Sequence, residues 1–447
     1  MRWVASLFAL GLMMALFHRV TVGGPLEARA TLALGFLLLA AHLGGELAQR
    51  ARLPRITGYL LVGFAVGPAW LGLVRPDEVA ALRFIADAAV ALIAFAAGSA
   101  LTLQTLRAER AALTRLAAGA VVLPFAAVAL VALSVSPWFP LTVHQPWGDR
   151  IVVALVLGTI AAGSSPAVTI ALIDEMGARG PFSRSILGVT VAKDVAVIVL
   201  LSLVLALGRP IASAGALNLG VALAALLRLG GSLAVGVVLG VLLALYLRRV
   251  RRDTALFLVA VAFLTAEIAR LLRLDPMLVA LAAGFYLENF SRVEGERLRG
   301  ELSRGAMPVY VAFFALAGAG LHVETLADLW PWVALFAGLR AVALRYATRW
   351  AGRDARVTRD LARDGWLGLI SQAGVTLGLA AVTRRAFPEW GISLEALILS
   401  MVAVHEVAGP ICFRKALVRA GEITEGAHEA EAAVGGGDVV SARGGVQ

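Results

Sequence analysis

Residues 185–200 read SILGVTVAKDVAVIVL, an apolar run broken by one adjacent pair of charges, Lys193-Asp194. The run continues to Leu207, and the resulting 23-residue stretch, 185–207, is long enough to cross a hydrocarbon core of about 30 Å as a helix. Asp194 is the tenth residue of that stretch, which places it near the bilayer midplane. A charge at that depth costs about 2.5–3.5 kcal/mol on insertion scales, so its retention there points to function. Adjacent residues on a helix do not face each other, which argues against Lys193 being a simple local counter-ion. These residues read as a membrane helix that carries an ionisable site.

The rest of the chain agrees. Of 447 residues, 60% are hydrophobic and only 16% charged, where a soluble domain carries about a quarter. Fourteen apolar spans are expected, at 3–20, 30–49, 56–74, 84–105, 114–135, 151–173, 185–207, 217–247, 254–271, 276–290, 303–322, 330–350, 364–384 and 392–413. The expected class is therefore an all-α polytopic membrane protein of 13–14 transmembrane helices. The alternative count arises at the start. Residues 1–29 read either as an extra span or as a signal-like segment ending in the A-x-A-like Ala28-Arg29-Ala30. The transmembrane domain proper is 30–420, and the Gly/Ala/Glu-rich tail 421–447 is expected to be disordered.

The net charge of +10 is not a nucleic-acid signature, because its basic residues fall in alternate loops. One set of loops holds 24 positive residues and the opposite set ten. By the positive-inside rule the richer set is cytoplasmic, which puts the C-terminus in the cytoplasm of an inner (cell) membrane protein. The single cysteine, Cys412, excludes an intramolecular disulfide and a Cys-based metal centre. His405-Glu406 lacks the second histidine of a zinc-protease motif. Neither a nucleophile–base pair nor a cofactor motif appears, so an integral membrane enzyme is the least supported class.

Internal similarity points to a transporter. Gly63-Phe64 is echoed by Gly284-Phe285, and Ala97-Gly98-x-x-Leu101 by Ala317-Gly318-x-x-Leu321, at nearly matched separations. The spans involved run in opposite directions, so 56–207 and 276–413 read as inverted repeats, with a substrate site expected where they meet. The fourth span of each repeat carries a candidate break. The first is Ala162-Gly163-Ser164-Ser165-Pro166, where Pro166 removes a backbone donor. The second is Ser371-Gln372-Ala373-Gly374, so Gln372 and Gly374 mark the weaker break.

Usage of cations is informative too. The chain has 38 arginines and two lysines, Lys193 and Lys415. A lysine at the membrane centre can lose its proton on desolvation, which a guanidinium resists. Arg340 lies mid-span without a local acidic partner and is expected to meet carbonyls or a carboxylate across helices, with Asp194 or Glu406 as candidates. Asp87 with Arg83 and Glu267 with Arg270 read as interfacial pairs.

At these residues the chain resembles the cation:proton antiporter family 2, which includes potassium-efflux-type and sodium/proton exchangers. The matching stretches are LPRITGYLLVGFAVGPAWLGLV (53–74), IAFAAGSALTL (93–103), VLPF (122–125), AAGSSPAVTIALIDEMG (161–177), SILGVTVAKDVAVIVL (185–200), FFALAGAGL (313–321) and VAGPICFRKAL (407–417). The resemblance covers residues 30–420. It implies an inverted-repeat antiporter fold with two discontinuous crossing helices, and a mobile core beside a panel of dimerising helices, hence a homodimer. It puts Asp194 on the essential aspartate and Ser164-Ser165-Pro166 on the first unwound stretch. The chain departs from the family in having Lys193 before Asp194, Arg340 as the nearest basic residue of the second half, and no acid in the second break.

The expected function is secondary exchange of Na⁺ or K⁺ for H⁺ by alternating access, with cation and proton competing for Asp194. Oxygens of Ser164, Ser165 and Thr190, with freed carbonyls, would complete the shell of the transported ion; Thr190 shares a face with Asp194, four residues on. Lys193 staying charged implies one-for-one exchange, whereas Lys193 losing its proton implies two protons per cation. Its displacement around the helix from Asp194 favours the first. The alternatives are an organic-anion transporter on a related inverted-repeat fold, with Lys193 and Arg340 as carboxylate binders, and a cation channel or sensor.

Overall fold

The computed structural model of the chain describes residues 2–21, 24–108, 110–213, 219–249, 254–291, 308–320, 324–372 and 374–423. Most of the 421–447 tail, and the basic loop around Arg297, lie outside the described residues. Among the described residues every regular element is helical. The first run is α1 (Arg2–Thr21), α2 (Leu26–Arg50), α3 (Arg55–Val66), α4 (Pro76–Ala81), α5 (Arg83–Ala100) and α6 (Leu103–Ala108). Next come α7 (Arg110–Val135), α8 (Trp147–Ala162), α9 (Pro166–Met176), α10 (Pro181–Ser213), α11 (Leu219–Arg249) and α12 (Thr254–Leu271). The last are α13 (Pro276–Phe290), α14 (Pro308–Ala319), α15 (Glu324–Ala351), α16 (Arg359–Gly368), α17 (Gly374–Ala386) and α18 (Pro388–Arg419).

A chain this apolar has to satisfy its backbone internally, which helices do without help from neighbours. Among the described residues, six helices or helix pairs are long and apolar enough to cross a membrane: 26–50, 110–135, 147–176, 181–205, 227–247 and 388–419. Helices also lie under the other expected spans, with one clear difference. The stretch 56–74 is helical only to Val66, because Gly67 turns extended and Pro68 cannot continue the ladder. The chain then folds back, with the Val74 amide donating to the Val66 carbonyl at 3.0 Å.

Two bodies of helices pack together. In one, α1 packs on α2 and α2 on α3, while α5 packs on α12 and α13, and α11 on α13. In the other, α7 packs on α8 and α15, α8 on α10, α15 on α16 and α18, and α17 on α18. α9 touches α3 and α5, and α10 touches α11, so these two helices join the bodies.

Small residues set two of the closest approaches. A side chain at Gly63 would overlap the Ala315 carbonyl of α14, and one at Gly318 the Leu60 carbonyl of α3. Likewise a side chain at Gly98 would overlap the Leu281 carbonyl of α13, and one at Gly284 the Phe95 carbonyl of α5. In both cases the obstructing atom is backbone, so relief requires the helices to separate. Small-residue contacts of this kind hold membrane helices where lipid supplies no hydrophobic drive. Gly284→Val is therefore expected to destabilise the protein by about 1–3 kcal/mol, the usual cost of overpacking. Gly338→Ala, at an exposed site with nothing within 4 Å, should be neutral. Melting curves of the detergent-purified variants check the contrast.

Candidate functional site

The expected breaks are present, and they lie against each other. α8 stops at Ala162 and α9 begins at Pro166, leaving Gly163, Ser164 and Ser165 unwound. α16 stops at Gly368 and α17 begins at Gly374, so the second break opens at Leu369, two residues before the stretch marked by the sequence. The Ser165 amide donates to the Ser371 carbonyl at 2.8 Å, joining the two unwound segments directly. Ser165 also caps α9, its hydroxyl accepting from the Val168 amide at 3.3 Å. Ser164 donates its hydroxyl to the Leu369 carbonyl at 2.7 Å.

Breaking two helices in a dry interior frees carbonyls at the ends of α8 and α16, and each needs a donor. Arg340, in the middle of α15 and fully buried, supplies most of them. Its Nε donates to the Ala161 carbonyl at 2.9 Å, and its Nη1 to Ile370 at 2.7 Å. Its Nη2 donates to Gly163 at 2.6 Å and to Leu369 at 2.9 Å. The planar fork of guanidinium suits this, and its charge sits at the negative ends of two half-helices. This settles the partners left open for Arg340: they are carbonyls of both broken helices. Of the partners expected, it meets carbonyls; among the described residues neither Asp194 nor Glu406, the two candidate carboxylates, lies within ion-pair distance of it. The guanidinium is neutralised by backbone dipoles, and Glu406 is buried separately on α18.

α10 brings the charged pair to this place. Lys193 is fully buried, and its Nζ donates to Ser164 Oγ at 2.7 Å. The Arg340 Nη2 lies 3.5 Å from the same oxygen, so two cationic groups converge on one hydroxyl. Asp194 is 3% exposed, and its Oδ2 is a buried oxygen with no hydrogen-bond partner. A carboxylate so placed demands a proton or a cation. Thr190 is buried on the same helix, but its hydroxyl donates to the Leu187 carbonyl at 2.8 Å, leaving only its lone pairs for an ion. Gln372 donates its Nε2 across to the Ile160 carbonyl at 2.7 Å. Pro166 and Gly374 stand at the first positions of α9 and α17.

Of the interfacial pairs, Glu267 and Arg270 meet as expected, with Arg270 Nε donating to Oε2 at 2.9 Å. Several tertiary contacts had no signal in the sequence. The carboxylate of Glu175 at the end of α9 accepts from the Arg55 and Ile56 amides at 2.5 and 3.2 Å, capping the start of α3. Tyr310 donates to Asp174 at 2.6 Å, and Trp390 Nε1 to Asp149 at 3.1 Å. Asn289 joins α13 to the end of α5 by accepting from the Leu103 amide and donating to the Leu101 carbonyl. Each links residues more than 130 positions apart, save the 120-residue Glu175 link, so no local pattern could reveal them.

Two broken helices meet beside the buried Lys193-Asp194 pair. Residues 34–413 match the sodium/hydrogen exchanger transmembrane family. The chain belongs to that family. Exchangers of this kind are transporters, not enzymes. Similar curated proteins include the Na(+)/H(+)-K(+) antiporter GerN of Bacillus cereus, 28% identical over 170 residues, which are 38% of this chain and 40% of that protein. The probable Na(+)/H(+) antiporter GerT of Bacillus cereus is 28% identical over 171 residues, 38% of this chain and 42% of GerT. The chain thus aligns with less than half the length of these relatives. Among solved structures, the sodium proton antiporter MjNhaP1 from Methanocaldococcus jannaschii at pH 8 superposes with a TM-score of 0.61 at 15% identity, over 88% of this chain and 96% of MjNhaP1. An electron-microscopy map of the same antiporter gives a TM-score of 0.63 at 17% identity, over 87% and 95%. The chain therefore has that antiporter's fold.

Proposed function

We propose that the protein exchanges Na⁺ or K⁺ for H⁺ by alternating access, with cation and proton competing for Asp194. The observation that carries this reading is the buried Asp194 Oδ2, which accepts no hydrogen bond beside two interrupted helices. The GerN and GerT names, antiporters of Na⁺ with H⁺, support the substrate class. Ser164, Ser165 and Thr190 are the hydroxyls that complete the ion's shell in this reading. The two glycine contacts support inverted repeats: a two-fold exchange of α3 with α13 and of α5 with α14 carries the Gly63–Gly318 contact onto the Gly284–Gly98 contact. A homodimer in the inner membrane with a cytoplasmic C-terminus completes the reading, supported by the charge bias of the loops. The test is proton flux in proteoliposomes titrated separately with Na⁺ and K⁺ across pH; cation-independent flux would sink it.

An organic-anion transporter is less well supported. Four of the five guanidinium N–H groups of Arg340 already serve carbonyls, leaving little for a substrate carboxylate.

Lys193 bears on stoichiometry. An ammonium has three donors, and here one neutral hydroxyl accepts, beside a second cation. That is a poor home for a permanent charge, so two protons per cation now has the better support, against the one-for-one preference drawn from helix spacing alone. Wild-type exchange is then expected to respond to membrane potential, and Lys193→Gln exchange to lose that response. Valinomycin-clamped vesicles read the difference, and a wild type indifferent to potential would remove Lys193 from the proton count.

A further inference from the structure

Gln372 marks the second break, and its amide is oriented unambiguously. Nε2 donates to the Ile160 carbonyl at 2.7 Å; turning the amide over would set oxygen against oxygen. Oε1 is therefore the group left over, and among the described residues it accepts no hydrogen bond although Gln372 is fully buried. An unsatisfied buried acceptor costs about 1–3 kcal/mol, and such groups call for an explanation when they persist.

Its surroundings point to one. Gln372 lies in an unwound segment, one residue after Ser371, whose carbonyl holds the opposite break through Ser165. The facing residue is Gly163, and a side chain there would come within 3.1 Å of Thr376 Oγ1 and 3.6 Å of Gln372 Nε2, so the glycine keeps the space beside the amide clear. Within the two breaks and the charged pair on α10, the described side-chain oxygens that are fully shut off from solvent and have no partner are Asp194 Oδ2 and Gln372 Oε1. Other acceptors around the breaks are engaged: the Leu369 and Ile370 carbonyls by Arg340, Ser164 Oγ by Lys193, and Ser165 Oγ by Val168.

We infer that Gln372 Oε1 is a ligand for the transported alkali cation, supplying the neutral hard oxygen that complements the carboxylate of Asp194. The inference rests on the exchange reading above and adds a ligand from the second broken helix. An amide oxygen suits an alkali ion for the reason backbone carbonyls do: it is a strong dipole that replaces water without adding charge. A neutral ligand matters where Arg340 and Lys193 already crowd the site, because it sets affinity and selectivity without taking up a proton. The residue is then a specificity determinant, and its Nε2 bond to Ile160 positions the oxygen.

The test uses the full chain, as Gln372→Met, Gln372→Glu and Asp194→Asn, with two readouts. One is the half-saturating Na⁺ and K⁺ concentration for proton flux in proteoliposomes. The other is stabilisation of the detergent-purified protein by NaCl or KCl over choline chloride, since a ligand that binds only the folded state raises its melting temperature. Gln372→Met, which keeps the side-chain length and removes both amide groups, is expected to raise half-saturation about tenfold, the effect of losing one good ligand, and to shift the Na⁺/K⁺ ratio. Gln372→Glu keeps an oxygen and should hold half-saturation near wild type or lower it. A purely structural role, through the Ile160 bond alone, predicts that Met lowers the melting temperature with half-saturation and ion ratio unchanged, and that outcome overturns the inference. Failure of the exchange reading looks different: Asp194→Asn would retain cation-dependent flux and stabilisation, whatever Gln372→Met does. A wild type neither driven nor stabilised by Na⁺ or K⁺ would overturn both.

Discussion

Asp194→Asn is expected to fold as well as wild type and to lose cation-driven proton flux by at least about a hundredfold. The substitution preserves shape and removes the one property the exchange reading requires, a group that holds either a proton or a cation. Asp194 Oδ2 makes no hydrogen bond that the amide would break, so the surrounding helices have no reason to move. Burying a carboxylate near the bilayer centre costs about 2.5–3.5 kcal/mol, and the neutral amide avoids that cost, so the melting temperature should stay level or rise. Loss of flux with a retained melting temperature is thus the expected pair of measurements. Flux at the wild-type level would disprove the assignment and shift attention to Glu406, the carboxylate buried on α18.

Arg340→Met is expected to have the opposite signature, a loss of stability that takes transport with it. Its four donated bonds serve carbonyls from two separate half-helices, Ala161 and Gly163 on one side and Leu369 and Ile370 on the other. Bonds to charged groups contribute about 1.5–3 kcal/mol each, partly offset by the cost of burying the guanidinium. Removing it strands several acceptors in a dry interior, and a net loss on the order of 3–5 kcal/mol follows. Arg340→Lys should recover only part of it, since an ammonium is a compact donor that cannot reproduce the planar fork. Melting temperature and monodispersity in detergent check both variants. An Arg340→Met protein as stable as wild type, but inactive, would instead place the guanidinium in the transport step.

These two residues show where sequence reasoning reaches and where it stops. Asp194 was legible because a charge inside an apolar run is anomalous against its immediate neighbours, and distance along the chain measures its depth in the bilayer. The first break was legible for the same reason: Gly163 through Pro166 violate helix rules locally, whatever they touch. The second break was half-legible, since Gly374 marks its end, while its start at Leu369 follows Gly368 and is held by Arg340 and Ser164, which both donate to the Leu369 carbonyl. Arg340 stood out as a buried charge, yet its partners were ambiguous, because a carboxylate and a cluster of carbonyls satisfy a guanidinium equally well on paper.

The sequence by itself determined where apolar helices lie along the chain, that one of them carries the buried Lys193-Asp194 pair, and one of the two breaks. All of these are properties of residues against their neighbours in the chain, decided by transfer energies and backbone donors. Only the tertiary structure decided that the breaks touch, that Arg340 closes both, that Lys193 shares a hydroxyl with Arg340, and that Gln372 is left with an unused oxygen. Those facts depend on which groups meet across 29 to 212 positions of chain, and hydrogen-bond satisfaction is accounted for in space, where every freed carbonyl must find its donor.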